Sequence, residues 1–136
     1  MHDNATASLR NVIRPESPAD FLKLLEFLRE LRADAYLLAN MLTNDFDVDE
    51  HGRSSIRRWH SIYRIEKLPI WRLRSLELEA VGVNYRIIYL YYWRERTYYV
   101  IDIVHKSKLT SSDYDDPQNP IRKRLVSIVR NEFPDA

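Results

Sequence analysis

Tyr85-Arg86-Ile87-Ile88-Tyr89-Leu90-Tyr91-Tyr92-Trp93 and Thr97-Tyr98-Tyr99-Val100-Ile101-Asp102-Ile103-Val104, joined by the polar Arg94-Glu95-Arg96, are the stretch on which the fold turns. β-Branched and aromatic residues fill both runs, a composition suited to half-buried extended chain, and the short polar link predicts an antiparallel hairpin. Just upstream, Ile70-Trp71-Arg72-Leu73-Arg74 alternates apolar with basic residues. The period of two puts Trp71 and Leu73 on one face and Arg72 and Arg74 on the other. Residues Pro69 to Tyr114 therefore predict a small antiparallel sheet with a basic face.

Around the sheet the periodicity is helical. Ser17 is suited to an N-cap, and Pro18 to the first helical position, where its missing N–H costs nothing. Phe21, Leu24, Leu25, Leu28 and Leu31 then recur every three or four residues, with Lys23, Glu26, Arg29 and Glu30 on the other face. Ala35, Leu38, Ala39 and Leu42 continue the stripe, so either a second helix packs antiparallel to the first or one long helix kinks near Ala33. Asn119 and Pro120 open a last helix in which Ile121, Leu125, Ile128 and Val129 face inward and Arg122, Lys123, Arg124 and Arg130 face water. Leu9 to Ile13 reads as a short edge strand. Ile56 to Ile65 suits either a short helix or an extended connection. The fold class expected is α+β: an antiparallel sheet of three or four strands, two N-terminal helices packed on it and a C-terminal helix. Residues 17–133 form the domain and 1–16 an extension.

Bulk properties narrow the chemistry. The 136 residues, 45% of them apolar, suffice for one core. With no cysteine, disulfides, thiolate catalysis and the common structural zinc sites are excluded. The carboxylates Asp45, Asp47 and Asp49 in the loop 44–55 invite a calcium reading. Counting an EF-hand loop from Asp45, however, puts Glu50 where glycine is needed and Ile56 where the bidentate glutamate is needed. Neither a basic-then-apolar leader nor a membrane-length apolar run is seen, so the expectation is a soluble, cytoplasmic protein. The net charge of +1 conceals an asymmetry: residues 1–50 carry five basic and ten acidic side chains, residues 51–130 sixteen and eight. Positive charge gathered on part of a small domain is the footprint of a polyanion site, although arginines on solvated strand edges produce the same count.

Particular segments carry a resemblance to RelE-type toxins of the RelE/ParE superfamily. Leu68-Pro69-Ile70-Trp71-Arg72-Leu73-Arg74 is similar to the strand that ends in that family's Lys/Arg-Leu-Arg signature, and Tyr85-Arg86-Ile87-Ile88-Tyr89 to its Tyr-Arg-apolar-apolar-Tyr strand. Ile103-Val104-His105-Lys106-Ser107-Lys108, followed by Asp113-Tyr114, is similar to its last strand, basic end and downstream tyrosine. The resemblance implies the toxin of a toxin–antitoxin pair that cleaves messenger RNA on the ribosome without a metal or other cofactor. Its implied partners are the ribosome, the message and a cognate antitoxin. RNA supplies the nucleophile, its 2′-hydroxyl, so the protein has only to hold the attack geometry, neutralise phosphoryl charge and move protons.

On that reading Arg86 is the phosphate clamp, its planar fork suiting phosphate oxygens. Arg72 and Arg74 share a face from which they can converge on the same anion, or they are merely solvated. His105 is the acid–base candidate; strand alternation, which sets it beside Ile101 and Ile103, equally suits a half-buried structural histidine. Lys106 serves proton transfer or, with Lys108, flanking phosphates, unless both simply cap a strand end in water. Tyr114 offers a ring for a base and a hydroxyl for a phosphate, but sits in Asp113-Tyr114-Asp115-Asp116, whose acids repel RNA unless turned away. Two other classes stay open: a ParE-like gyrase inhibitor that binds without cutting RNA, and a non-catalytic relative that binds a protein.

Overall fold

The computed structural model describes residues 1–43 and 54–136; the calcium reading of Asp45, Asp47 and Asp49 falls largely outside them. Four strands, β1 (Ser54–Arg58), β2 (Trp71–Ser75), β3 (Tyr85–Tyr92) and β4 (Thr97–His105), form one antiparallel sheet in the order β1-β2-β3-β4. Helices α2 (Pro18–Ala33) and α3 (Ala35–Ala39) precede it and α7 (Pro120–Glu132) follows it, with short helices α4 (His60–Glu66), α5 (Leu76–Ala80) and α6 (Ser111–Asp115) between. The α+β class read from the sequence is therefore the observed one. The segment 56–65, open to two readings, is divided between them: Ser54–Arg58 pairs with β2 and His60–Glu66 is helical.

Local chemistry sets the helix ends. The Ser17 hydroxyl accepts from the Asp20 N–H and Pro18 occupies the first turn. Asn119 Oδ1 accepts from the N–H groups of Ile121 and Arg122 ahead of α7. Asp34 decides between one kinked helix and two. Its backbone leaves the helical region, and its carboxylate accepts from the Leu37 N–H at 2.9 Å, starting α3 afresh.

The sheet separates two apolar clusters. On one face Trp71, Leu73, Tyr85, Ile87, Tyr89 and Ile103 pack with Leu24 and Leu31 of α2. On the other Ile88, Leu90, Tyr92, Ile101 and Val104 pack with Trp59, Ile62 and, from α7, Leu125 and Val129. At roughly 1.5–3 kcal/mol for each fully buried aliphatic or aromatic side chain, these clusters are the main source of stability. The β3–β4 register slips between Ile88 and Tyr89: Ile88 opposes Asp102, Tyr89 opposes Val100, and Ile101 is left unpaired. This bulge turns Ile101 to the α7 face while Ile103 stays on the α2 face, so the expected sharing of one side by Ile101 and Ile103 fails.

Residues 1–16 correct the sequence reading further. They form α1, helical over Asp3–Ser8 and Arg14–Glu16 with a π turn at Leu9–Ile13, not an edge strand. A helix puts Ala5, Leu9 and Ile13 on one face, and all three are buried; a strand would have set Asn11 between the last two. The π turn falls just before Pro15, which has no N–H to give, and Arg14 bonds Leu9 instead. Rather than extending away, α1 lies along the exposed edge of β4, where the His2 N–H donates to the Val100 carbonyl and the Asn4 side chain to that of Ile101. Asp102, buried at the bulge, accepts from Ser8 Oγ (2.6 Å), the Ile103 N–H (2.8 Å) and Arg124 (3.1 Å), tying α1, β4 and α7 together. Among the described residues no helix is long and apolar enough to cross a membrane.

A basic cleft as candidate functional site

The face of β2 that α7 leaves uncovered is the one sequence alternation assigned to arginine. Trp71 and Leu73 are buried on the α2 side, while Arg72 and Arg74 are half-exposed on the other. The antiparallel register sets Arg57 of β1 directly beside Arg72, and β3 adds Arg86. Together with Arg58, His60, Lys106 and Tyr114 these residues line an open cleft of about 710 Å³, roughly the size of established small-ligand sites. Among the described residues six cationic side chains line it, and the one acid is Asp115.

Glu79 of α5 organises the end of the cleft. Its carboxylate accepts two bonds from Arg74, Nε at 3.0 Å and Nη2 at 2.8 Å, and one from Arg86 Nη1 at 2.9 Å. Hydrogen bonding from Arg74, reinforced by Arg86, holds the carboxyl below the usual carboxylate range despite opposing burial. The N-cap that starts α5, Ser75 Oγ accepting from the Leu78 N–H, sets where Glu79 emerges. Arg74 has thus spent its bidentate edge inside the protein, whereas Arg86 keeps Nη2 and Nε beyond the single Glu79 bond.

The middle of the cleft is a stack. The Arg72 guanidinium lies 4.1 Å from the centre of the Tyr114 ring, and the Trp59 ring meets that ring edge-on at 4.8 Å. The Tyr114 hydroxyl and Arg72 Nε are buried without hydrogen-bond partners. The acids flanking Tyr114 are largely diverted: Asp113 accepts from the N–H and hydroxyl of Thr110, which lowers its pKa, and Asp116 accepts from the Gln118 N–H. Asp115 stays on the cleft wall.

Of the seven residues singled out from the sequence, Arg72, Arg74, Arg86, Lys106 and Tyr114 share this cleft, and His105 and Lys108 do not. His105 is paired with Tyr85 and Lys106 N–H closes onto Asn84, so His105 projects to the α2 face when Arg86 and Val104 project to the other. Its ring packs edge-on against Tyr85 at 5.0 Å and its Nδ1 caps Ser107. His105 and Lys108 line a separate recess of about 220 Å³ with Asp102 and Arg124. Among the described residues the histidine that lines the cleft is His60, at the start of α4. Its signal was the Arg57-Arg58-Trp59-His60 run, whose basic and aromatic character was visible before its strand-to-helix turn was.

Arg122 is a further correction. Expected in water, it is buried, and Nη1 donates to Ser61 Oγ at 2.6 Å and to the Tyr114 carbonyl at 3.0 Å. Among the described residues no group of histidine and carboxylate side chains is arranged to hold a metal ion. No family model matches the chain, and no curated protein or solved structure matches it.

Proposed function

We propose that the cleft is the site of a metal-independent RNA endonuclease, the toxin of a toxin–antitoxin pair acting on ribosome-bound message. One observation carries the reading: cations from three strands and the turn after β4 converge with an imidazole and a stacked tyrosine on a single open cleft. A phosphodiester there meets charge-assisted donors from several directions, and an unpaired base meets guanidinium and ring faces. In the reaction the 2′-oxygen bonds to phosphorus as the P–O5′ bond breaks, giving a 2′,3′-cyclic phosphate and a 5′-hydroxyl. Arg86 clamps the phosphoryl oxygens with its remaining N–H groups, Arg72 and Lys106 add charge, and His60 or Lys106 moves the protons. A cognate antitoxin would act by covering the cleft.

The test is induction in growing cells with mapping of 5′-hydroxyl message ends, repeated with Arg86→Ala. The proposal expects growth arrest and new ends that the variant abolishes. Unaffected growth without new ends would refute it, and loss of supercoiling without RNA cleavage would move the protein to the gyrase-inhibitor class.

A further inference from the structure

Arg122 is an expensive residue where it stands. It is 1% exposed, its Nε has no hydrogen-bond partner, and among the described residues no carboxylate pairs with it. An uncompensated interior charge opposes folding, so packing alone does not account for a guanidinium at a buried position that an apolar side chain would occupy without the desolvation cost. Its bonds all run from α7 to the back of the cleft. Nη1 reaches Ser61 Oγ and the Tyr114 carbonyl, and Nη2 reaches the Ser61 carbonyl at 3.4 Å. The same Tyr114 carbonyl accepts from Trp59 Nε1 at 2.8 Å. Two donors on one carbonyl tie the backbone of Tyr114, in the five-residue helix α6 whose first turn is closed by the Thr110–Asp113 capping box, to α7 and to Trp59.

We infer that Arg122 is a positioning residue that holds Tyr114 in its stack with Arg72, and thereby sets how tightly the cleft grips single-stranded RNA. The inference rests on the reading of the cleft as an RNA site. Arg122 touches no substrate; it acts through Tyr114, whose ring and the guanidinium above it form a platform for an unpaired base.

A double-mutant cycle tests this, with fluorescence anisotropy of a fluorescein-labelled single-stranded oligoribonucleotide as readout. Arg122→Met keeps an unbranched apolar stem and removes the donors. It should bind about tenfold more weakly, with a melting temperature equal to or above that of the parent, since a buried charge has gone. In a Tyr114→Ala background the same substitution should have no further effect. A tenfold loss that persists in that background would assign the effect to charge or to general structure and overturn the inference. So would full-strength binding by Arg122→Met. If the parent protein itself does not bind the oligoribonucleotide, the RNA reading of the cleft fails and this inference with it, an outcome distinct from either of those. Should Arg122→Met not fold, as judged by circular dichroism, Ser61→Ala removes only the 2.6 Å partner; about threefold weaker binding, abolished by Tyr114→Ala, is then expected, and unchanged binding refutes the idea.

Discussion

Replacing Glu79 by glutamine tests the electrostatic construction of the cleft. The carboxylate, with 17% of its side chain exposed, accepts three charge-assisted bonds from Arg74 and Arg86, whose side chains are 38% and 14% exposed. Glutamine keeps one acceptor oxygen and loses the charge, leaving Arg86 mostly buried beside a neutral amide. A fully buried pair broken in this way costs about 3–5 kcal/mol; partial exposure of Arg74 and screening reduce this to about 2 kcal/mol. For a chain of this size that corresponds to a melting temperature lower by roughly 6–10 °C at pH 7. The sign with pH follows from the lowered pKa of Glu79. The ion pair stabilises above the unfolded-state value, about 4.3, and is lost as pH falls through the lowered folded value, so the parent and Glu79→Gln curves should converge only on the acid side of that folded value. The same substitution removes a competitor for Arg74 and Arg86, and affinity for inorganic pyrophosphate should rise about fivefold, on the order of 1 kcal/mol. Thermal denaturation by circular dichroism across pH, with calorimetric titration of pyrophosphate, measures both effects. A pH-independent difference in melting temperature, or weaker pyrophosphate binding, would show that Glu79 does not act on these arginines as described.

Other outcomes follow from the same geometry. Asp102→Ala deprives Ser8, Ile103 and Arg124 of their shared acceptor at the bulge, and urea denaturation should register a loss of about 3 kcal/mol. If the cleft cleaves RNA, His60→Ala should slow cleavage by about 10²-fold or more in a purified translation reaction while His105→Ala, on the opposite face, cleaves at the parental rate; the reverse pattern would restore His105 as the proton carrier. Tyr114→Phe deletes a buried hydroxyl that has no partner, so equilibrium unfolding should show unchanged or slightly increased stability.

What could be read from the chain was local. Alternation at Trp71 to Arg74 set which side chains of β2 face the core and which face the cleft, because side chains in a strand alternate whatever surrounds them. Ser17-Pro18 and Asn119-Pro120 started their helices where expected, since capping depends on the first turn alone. Arg72, Arg74, Arg86, Lys106 and Tyr114, singled out one by one along the chain, line a single cleft. Tertiary structure decided the rest, where a residue's position depends on elements distant in sequence. The pairing of Tyr85 with His105 turned that histidine away from Arg86, and the turn after β1 brought His60 in its place. The edge of β4 gave Leu9 to Ile13 an apolar surface to lie on as a helix. Arg122 lies in a run of basic residues with the look of a solvated face, and only the approach of Ser61 and the Tyr114 carbonyl, from 61 and eight residues away, made its burial tolerable. The sequence by itself determined strands β2 to β4, the starts of α2 and α7 and the basic face of β2, whereas β1, the helical course of Leu9 to Ile13, and which charged side chains meet in the cleft or lie buried behind it were decided by long-range packing.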